Sequence, residues 1–362
     1  MPLSLLNTAF CKIFNDYLGG DDNFVNVMHA DGAGSKSILA YLYWKETGDA
    51  TVWKGIAQDA IVMNLDDLLC IGIYDNILFN STIDRNKNLI PAEVLEHIIN
   101  GSKEFFELLK GHGINIHYMG GETADVGDVV RTITVNGTMA ARISKNRLIT
   151  NDKIKPGNMI IGLASYGKAS YEDSYNSGIG SNGLTSARHD ILSKYYAEKY
   201  KESYDNALDE KVIYIGEHRF ETGLAKDASL LLSPTRTYAP VIKKILEKSF
   251  EHIFGMVHCS GGGQTKCLKY LPGNMRIVKD NLFDPPQIFS MIQQSSGAGD
   301  GEMYQVFNMG SRMEIYVDEL NTQEIIDTAL SFDIDARVIG RVEKSDKKEL
   351  VIEYKEKRLL FS

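Results

Sequence analysis

The stretch GGETAD at residues 120–125 follows a strand-like run, INIHYM, at residues 114–119. Two consecutive glycines permit positive φ angles and let the backbone come close to a ligand. Glu122 and Asp125 then place two carboxylates after the strand, and carboxylate oxygens are ligands that Mg²⁺ prefers. Taken alone, the stretch fits either a plain glycine turn or a magnesium site at a strand exit. The rest of the chain decides between these interpretations.

The length of 362 residues exceeds one ordinary core and favours two domains. A polar, turn-rich segment at residues 151–158 divides the chain, so we predict domains at 1–150 and 151–362. Helical and strand patterns are interspersed in both halves, which predicts an α/β (α+β) fold class. Helices are predicted at 51–71, from Pro91 to 109 and in a long region after 183. Strands are predicted at 25–30, 114–119, 131–137 and 159–164, and near 255–258, 276–279, 312–317 and 337–342.

Composition excludes several classes of protein. With 39 basic and 48 acidic residues the net charge is −9, so general nucleic-acid binding is not expected. No apolar run approaches the roughly 20 residues of a membrane span. The four cysteines form no C-x-x-C pair, as expected for reduced thiols. Residues 1–6 lack the features of a signal peptide, and a cytoplasmic protein is predicted.

The segment DGAGSK at residues 31–36 combines a carboxylate, two glycines and a lysine. Glycine N–H groups can cradle phosphate oxygens, and Lys36 adds a positive charge. The segment lacks the spacing of a Walker A loop and the third glycine of a dinucleotide fingerprint. It predicts phosphate binding, and the alternative is a glycine turn with a surface lysine.

Three acids lie in the predicted helix at 51–71. Asp59 and Asp66 are seven residues apart and share one helix face, with Asp67 further round. Their neighbours are apolar, and carboxylates are seldom placed there unless they are paired or bind a metal. We predict that Asp31, Asp59, Asp66 and Glu122 form an oxygen cage for Mg²⁺. The alternative is a helix whose acids face water.

Two loops of small residues lie in the second half. The loop at 177–183 offers Ser181, Asn182 and Gly183, and it could wrap a ligand or form a surface turn. Three glycines follow His258 after an apolar strand, which favours close approach to a phosphate. His258 itself fits an acid or base role, or a purely structural one.

In chain order, these segments resemble the aminoimidazole ribonucleotide synthetase family, also called phosphoribosylformylglycinamidine cyclo-ligase. That family shows D-G-x-G-T-K, an acid followed by N-D-L on a helix, G-G-E-T-A-E, S-S-G-x-H-S-N-G, P-T-R, H-x-T-G-G-G and E-M-Y-x-x-F-N-x-G. The corresponding segments here are 31–36, Asp59 with 66–68, 120–125, 177–183, 234–236, 258–263 and 302–310.

The resemblance implies a two-domain synthetase of the AIR synthase superfamily, whose N-terminal α/β domain dimerises and whose ATP cleft is shared across the homodimer. It implies that ATP and Mg²⁺ are used to close the imidazole ring of formylglycinamidine ribonucleotide. Lys36 and His258 are the catalytic candidates. Nucleotide binding is assigned to Asp31, Gly32, Gly34, Ser35, Lys36, Asp59, Asp67, Gly121, Glu122 and Thr123. Substrate binding is assigned to Ser181, Asn182, Gly183, Gly261, Gly262 and Glu302.

The sequence departs from the family pattern at five positions. Ser35 replaces Thr, and Asp66 replaces Asn, which adds a negative charge. Asp125 replaces Glu and has a shorter reach. We therefore interpret Asp125 as structural or as a residue that contacts a metal ligand rather than the metal, and Glu122 as the stronger ligand candidate. Gly180 stands where His is usual, and Gln305 where Arg or Lys is common.

Two alternatives stay open. One is another ATP-using enzyme of the superfamily, namely thiamine-monophosphate kinase, selenophosphate synthetase or a hydrogenase-maturation ATPase. The other is a non-catalytic nucleotide-binding paralogue, because residues 1–30 lack the family's lysine- and glycine-containing covering segment. If the synthetase interpretation is right, Asp59→Ala and Glu122→Ala should lose activity far more than fold.

Overall fold

Two β-sheets organise the chain, and each takes its strands from one half of the sequence. The computed structural model describes residues 8–220 and 229–362, so the signal-peptide prediction at 1–6 lies outside them. Within those residues no helix has the length and apolarity that a membrane span requires. The predicted α/β class is confirmed.

The first sheet has the strand order β1-β2-β5-β3-β4. Its strands are β1 (Ile13–Asn15), β2 (Phe24–Gly32), β3 (Ile77–Arg85), β4 (Ile116–Asp125) and β5 (Ile133–Ser144). Helices α1 (Lys36–Thr47), α2 (Val52–Leu69) and α3 (Ala92–Gly111) belong to this half. The strands show alternating burial because side chains alternate between the helix-covered face and the open face.

The second sheet has the order β12-β11-β8-β10-β6-β9-β7. Its strands are β6 (Met159–Ala164), β7 (Ile253–His258), β8 (Met275–Lys279), β9 (Ser311–Val317), β10 (Ala336–Lys344), β11 (Glu349–Tyr354) and β12 (Lys357–Phe361). The helices of this half are α4 (Leu184–Ile191), α5 (Tyr195–Lys199), α6 (Ala239–Ser249), α7 (Cys267–Tyr270), α8 (Gln287–Ser296), α9 (Asp300–Val306) and α10 (Thr322–Leu330).

Helix α2 is buried on almost every side, including at all three of its acids. A helix that is apolar all round is one that packs on more than one side. The first sheet and α3 cover part of it. Helix α6 also packs on it, and α6 belongs to the second sheet and its helices, which we call the second lobe. Each acid of α2 can therefore contact residues of the second lobe.

The structure corrects two predictions. Residues 120–125 are not a turn at a strand exit, because β4 continues through Asp125 in parallel pairing with β3. Gly120, at φ +91°, lies where the β3–β4 register shifts. The predicted long helical region after 183 is broken into α4, α5 and short 3₁₀ turns in the described part. The limits 1–150 and 151–362 are kept as a proposal.

Candidate active site

Residues 233–238 lie along α2 and cover the carboxylate of Asp59. One oxygen, Oδ1, accepts hydrogen bonds from Lys36 Nζ (2.9 Å), Thr235 N (2.7 Å) and Thr235 Oγ1 (2.5 Å). Lys36 also donates to the carbonyl of Ser233. Lys36 and Asp59 are both fully buried, and burial lowers the pKa of Lys36. The predicted phosphate-binding lysine is therefore a buried partner of a predicted metal ligand.

The same segment also holds Asp66. Its carboxylate accepts hydrogen bonds from Thr237 Oγ1 (2.8 Å) and Tyr238 N (3.3 Å), and Arg312 NH2 lies 3.5 Å away. Burial raises the pKa of Asp66 despite the nearby positive charges. Because Asp59 and Asp66 contact neighbouring residues of one segment, they share a helix face, as their spacing predicted.

Asp67 has different partners. His258 Nδ1 lies 2.7 Å from Asp67 Oδ1, and His29 Nε2 lies 3.1 Å from Asp67 Oδ2. Burial alone would raise the pKa of Asp67, but the two histidines outweigh it and lower that pKa to about 2. His258 is fully buried, and its Nε2 has no hydrogen-bond partner among the described residues. When Nδ1–H donates to Asp67 Oδ1, the lone pair of His258 Nε2 is free to accept a proton.

Asp31 and Glu122 lie on opposite faces of the first sheet. Asp31 lies on the α2 side, where ligand atoms of His29, Asp31 and Asp67 lie within 4.8 Å of one another. Glu122 lies in one row with Gly32, because Gly32 pairs with Asn136, Asn136 with Thr82, and Thr82 with Glu122. Since neighbouring residues of a strand point to opposite faces, this row lies on the open face, away from Asp31.

The predicted four-carboxylate cage is therefore not assembled within one chain. His29, Asp31 and Asp67 are the one group of three or more potential ligands that converges in the described part of the chain. Asp59 and Asp66 bind the second lobe instead, and Glu122 is exposed on the far face of the sheet.

Packing explains several of the predicted nucleotide-binding glycines. A Cβ on Gly32 would lie 2.1 Å from Asn136 Oδ1, and one on Gly121 would lie 2.1 Å from the Ser81 carbonyl oxygen. Gly34 has φ +57°, and Ser35 Oγ lies 2.8 Å from Thr185 Oγ1 at the start of α1. Close packing therefore accounts for Gly32 and Gly121, and the positive φ angle accounts for Gly34, without a nucleotide. Thr123 lies beside Gly121 and Glu122 on β4 and pairs with Ile83.

The two small-residue loops of the second lobe meet each other. Ser181 Oγ lies 3.1 Å from Thr235 Oγ1, which links this loop to Asp59. A Cβ on Gly261 would lie 3.6 Å from Asn182 Nδ2, so the two loops are neighbours. Two further residues from the predicted substrate set, Gly183 and Gly262, have φ +76° and +99° and shape these turns.

Glu302 is the predicted substrate residue that the structure places elsewhere. It lies on α9 and lines a separate cavity of about 290 Å³ with Ser186 and Asp190. Burial and the charge of Glu302 raise the pKa of Asp190. Asp125, which we interpreted as structural, pairs with Lys87 at 2.8 Å.

The sequence prediction missed His29 and Arg312. His29 had a readable signal, because it precedes Asp31 by two residues on a strand and therefore shares its face. Arg312 had none, since β9 is brought against α2 by the packing of the two lobes.

Comparisons with known proteins agree with this architecture. The profile of AIR synthase related protein, N-terminal domain, matches residues 19–143, and the C-terminal domain profile matches residues 155–353. The phosphoribosylformylglycinamidine cyclo-ligase of Methanocaldococcus jannaschii is 33% identical over 320 residues, covering 87% of this chain and 77% of that protein.

Two solved structures show the same fold at low sequence identity. T. maritima PurL complexed with FGAR has a TM-score of 0.57 and 14% identity, and the match covers 96% of this chain but 46% of PurL. AaThiL complexed with AMPPCP and TMP has a TM-score of 0.56 and 13% identity, with 99% and 93% of the two chains covered. The chain therefore belongs to the phosphoribosylformylglycinamidine cyclo-ligase family of AIR synthase related proteins.

Proposed function

We propose that this protein is an ATP-dependent ligase that closes formylglycinamidine ribonucleotide to 5-aminoimidazole ribonucleotide in purine biosynthesis. Membership of the cyclo-ligase family supports the reaction. The observation that carries the proposal is the 2.7 Å contact of Asp67 with His258, beside Asp31. A base from the second lobe is thereby held next to potential metal ligands from the first.

The reaction consists of a phosphoryl transfer followed by ring closure. The γ-phosphoryl group of ATP passes to the oxygen of the formyl amide, ADP leaves, and the amide nitrogen loses its proton. The ribose-bearing nitrogen of the amidine then forms a bond to the formyl carbon, the carbon–oxygen bond breaks, and phosphate is released. The ribose-bearing nitrogen loses its proton in this step, and His258 Nε2 is the group that we assign to accept it. A proton shift from the ring CH₂ to the imine nitrogen completes the aromatic 5-aminoimidazole. Such chemistry needs positioning and charge neutralisation more than covalent help from the protein.

A magnesium ion fits the His29, Asp31 and Asp67 group better than the predicted cage. The three ligand atoms lie within 4.8 Å of one another, and Asp31 accepts one hydrogen bond in the described structure, from Gly32 N. Carboxylate oxygens suit Mg²⁺, so Asp31 and Asp67 would hold it. The ion would supply charge neutralisation at the phosphates.

A homodimer is part of the proposal. Met28 and Leu78 both lie opposite Ala140 on the open face of the first sheet, and with Met119 they are 69%, 41% and 59% exposed. Exposed apolar patches of this kind mark interfaces. A second copy of this chain on that face would cover these side chains and receive Glu122. Glu122 would then serve the partner's ATP site, which accounts for its separation from Asp31.

Lys36 stays a catalytic candidate, but its side chain is already bound to two groups of the protein. Contact with a phosphate would first require Lys36 to leave Asp59 and Ser233. As placed, Lys36 holds residues 233–235 against α2. A cytoplasmic location is likewise kept as part of the proposal.

The proposal is tested by incubating the protein with ATP, Mg²⁺ and formylglycinamidine ribonucleotide. We expect 5-aminoimidazole ribonucleotide and ADP in equal amounts, with ADP release dependent on the ribonucleotide. ATP binding without turnover would instead identify a non-catalytic paralogue. Phosphorylation of thiamine monophosphate in place of ring closure would identify a kinase.

A further inference from the structure

A cavity of about 500 Å³ opens beside the Asp67 cluster. Its walls come from residues 9–12 before β1, from residues 28–30 of β2, and from Lys266, Lys269 and Tyr270 after the glycine loop. His29 and Asp67 both line it. The cavity therefore lies where the two lobes meet, on the His29 side of the carboxylate that also holds His258.

Three lysines line this cavity and have no carboxylate partner among the described residues. Lys12, Lys266 and Lys269 form no ion pair within 4.0 Å in the part of the chain that the structure describes. Lys266 Nζ lies 5.6 Å from the centre of the Phe10 ring, and Lys269 Nζ lies 5.4 Å from that of Tyr270. Aromatic contacts thus hold two of the cations at the cavity wall.

The contrast with the buried lysines shows which cations are available to a ligand. Lys36 is paired with Asp59, and Lys279 is paired with Glu314, with all four side chains fully buried. In a chain with a net charge of −9, three unpaired lysines at one concave surface produce a local excess of positive charge. A concave positive surface attracts an anion.

We infer that this cavity binds the 5′-phosphate of the ribonucleotide substrate, with Lys12, Lys266 and Lys269 as its donors. The inference rests on the proposed function for the identity of the ligand. About 500 Å³ is ample for a ribose phosphate, since small-molecule pockets span roughly 300–1,000 Å³. His29, Asp67 and His258 form a continuous path from the cavity to the proposed base.

The geometry favours the ribonucleotide over ATP. Residues 31–36, which the resemblance assigns to ATP, do not line the cavity, whereas residues 28–30 do. Of the two magnesium ligands proposed for ATP, Asp67 lines the cavity and Asp31 does not. A monophosphate needs cations and no metal, and this is what the cavity supplies.

The test compares two double variants with the same change of charge. Lys266→Met with Lys269→Met removes two donors but keeps the aliphatic stems, while Lys103→Met with Lys344→Met changes exposed lysines that do not line the cavity. We expect the first double variant to raise KM for formylglycinamidine ribonucleotide about tenfold or more, because charge-assisted hydrogen bonds to phosphate are lost. KM for ATP should stay within about twofold for both. An unchanged KM for the ribonucleotide, or a rise confined to ATP, would overturn the inference.

A binding measurement separates this inference from the proposed reaction. Ribose 5-phosphate, titrated by calorimetry, should bind the unmodified protein and the control variant but not the cavity variant, and ribose should bind none of them. If the protein fails to form the imidazole but shows this binding pattern, the proposed reaction fails and the phosphate site stands. Equal binding of ribose 5-phosphate by all three proteins would remove the phosphate site, whatever the outcome for catalysis.

Discussion

Helix α2 carries acids with two very different surroundings. Residues 233–238 cover Asp59 and Asp66 and contact them through threonine and backbone donors. Lys36 and Arg312 add a positive charge beside each carboxylate. Asp67, one residue further along, contacts His29 and His258 beside an open cavity. The comparison shows that burial alone does not tell whether a carboxylate stabilises the fold or takes part in the chemistry. The residues of the second lobe that contact the carboxylate decide between these roles.

On the covered side of α2, which carries Asp59 and Asp66, loss of a charge partner should lower the free energy of unfolding most strongly. Lys36→Met leaves Asp59 buried without its cation, and we expect about 3–5 kcal/mol lower free energy of unfolding. Urea denaturation measures it. Lys266→Met, which removes an unpaired lysine, is the matched control and should leave the unfolding free energy close to that of the unmodified protein. Equal losses in the two variants would show that the covered side is no more structural than the cavity.

The open side should respond in activity rather than stability. His258→Gln removes the proposed base, and we expect kcat to fall by about 10²–10⁴-fold, the usual contribution of general acid–base catalysis. Formation of 5-aminoimidazole ribonucleotide at saturating substrates measures it. His252→Gln changes an exposed histidine and should leave kcat unchanged. If His258→Gln kept kcat within a few-fold of the unmodified enzyme, His258 would be a structural residue.

Asp66→Asn introduces the residue that the family carries at this position. The amide keeps an acceptor for Thr237 but loses its charge opposite Arg312, so we expect about 1–2 kcal/mol lower free energy of unfolding. Urea denaturation again measures it, with Asp66→Glu as a charge-preserving comparison. A loss as large as that of Lys36→Met would mean that Arg312 depends wholly on Asp66.

Stabilisation by Mg²⁺ should distinguish the group that contains Asp31 and Asp67 from Asp59 on the covered side most directly. At ten times its dissociation constant, an ion that binds the folded state adds about 1.4 kcal/mol of stability. We expect Asp31→Asn to abolish this increment in thermal unfolding with and without Mg²⁺. Asp59→Asn should lower the starting stability and yet retain the increment. The opposite pattern would restore Asp59 as a metal ligand.

The structure also changes the expectation for Asp59→Ala. The sequence suggested that this variant would lose activity more than fold. Because Asp59 holds Lys36 and Thr235 in a fully buried contact, we now expect stability to fall as well. Glu122→Ala keeps the original expectation, since Glu122 is exposed and makes no contact that the fold requires in the described chain.

Much of the fold was predictable, because period-two and helical patterns are local properties. The strand at 159–164 and the helix at 51–71 agree with β6 and α2 to within two residues. Strands β1, β3, β11 and β12 were not predicted. Residues 120–125 were mistaken for a turn at a strand end, because local glycine chemistry cannot show that β3 continues alongside them.

By itself, the sequence determined the ordered motifs, the α/β class and the family. It also identified Asp31, Asp67 and His258 as candidates, because residue type and spacing along one chain carry that information. The tertiary structure alone decided that Lys36 and Asp59 neutralise each other, that His29 joins Asp67, and that three lysines share one cavity. These contacts join residues far apart in the chain, and they arise from the packing of the second lobe on α2, which no local pattern encodes.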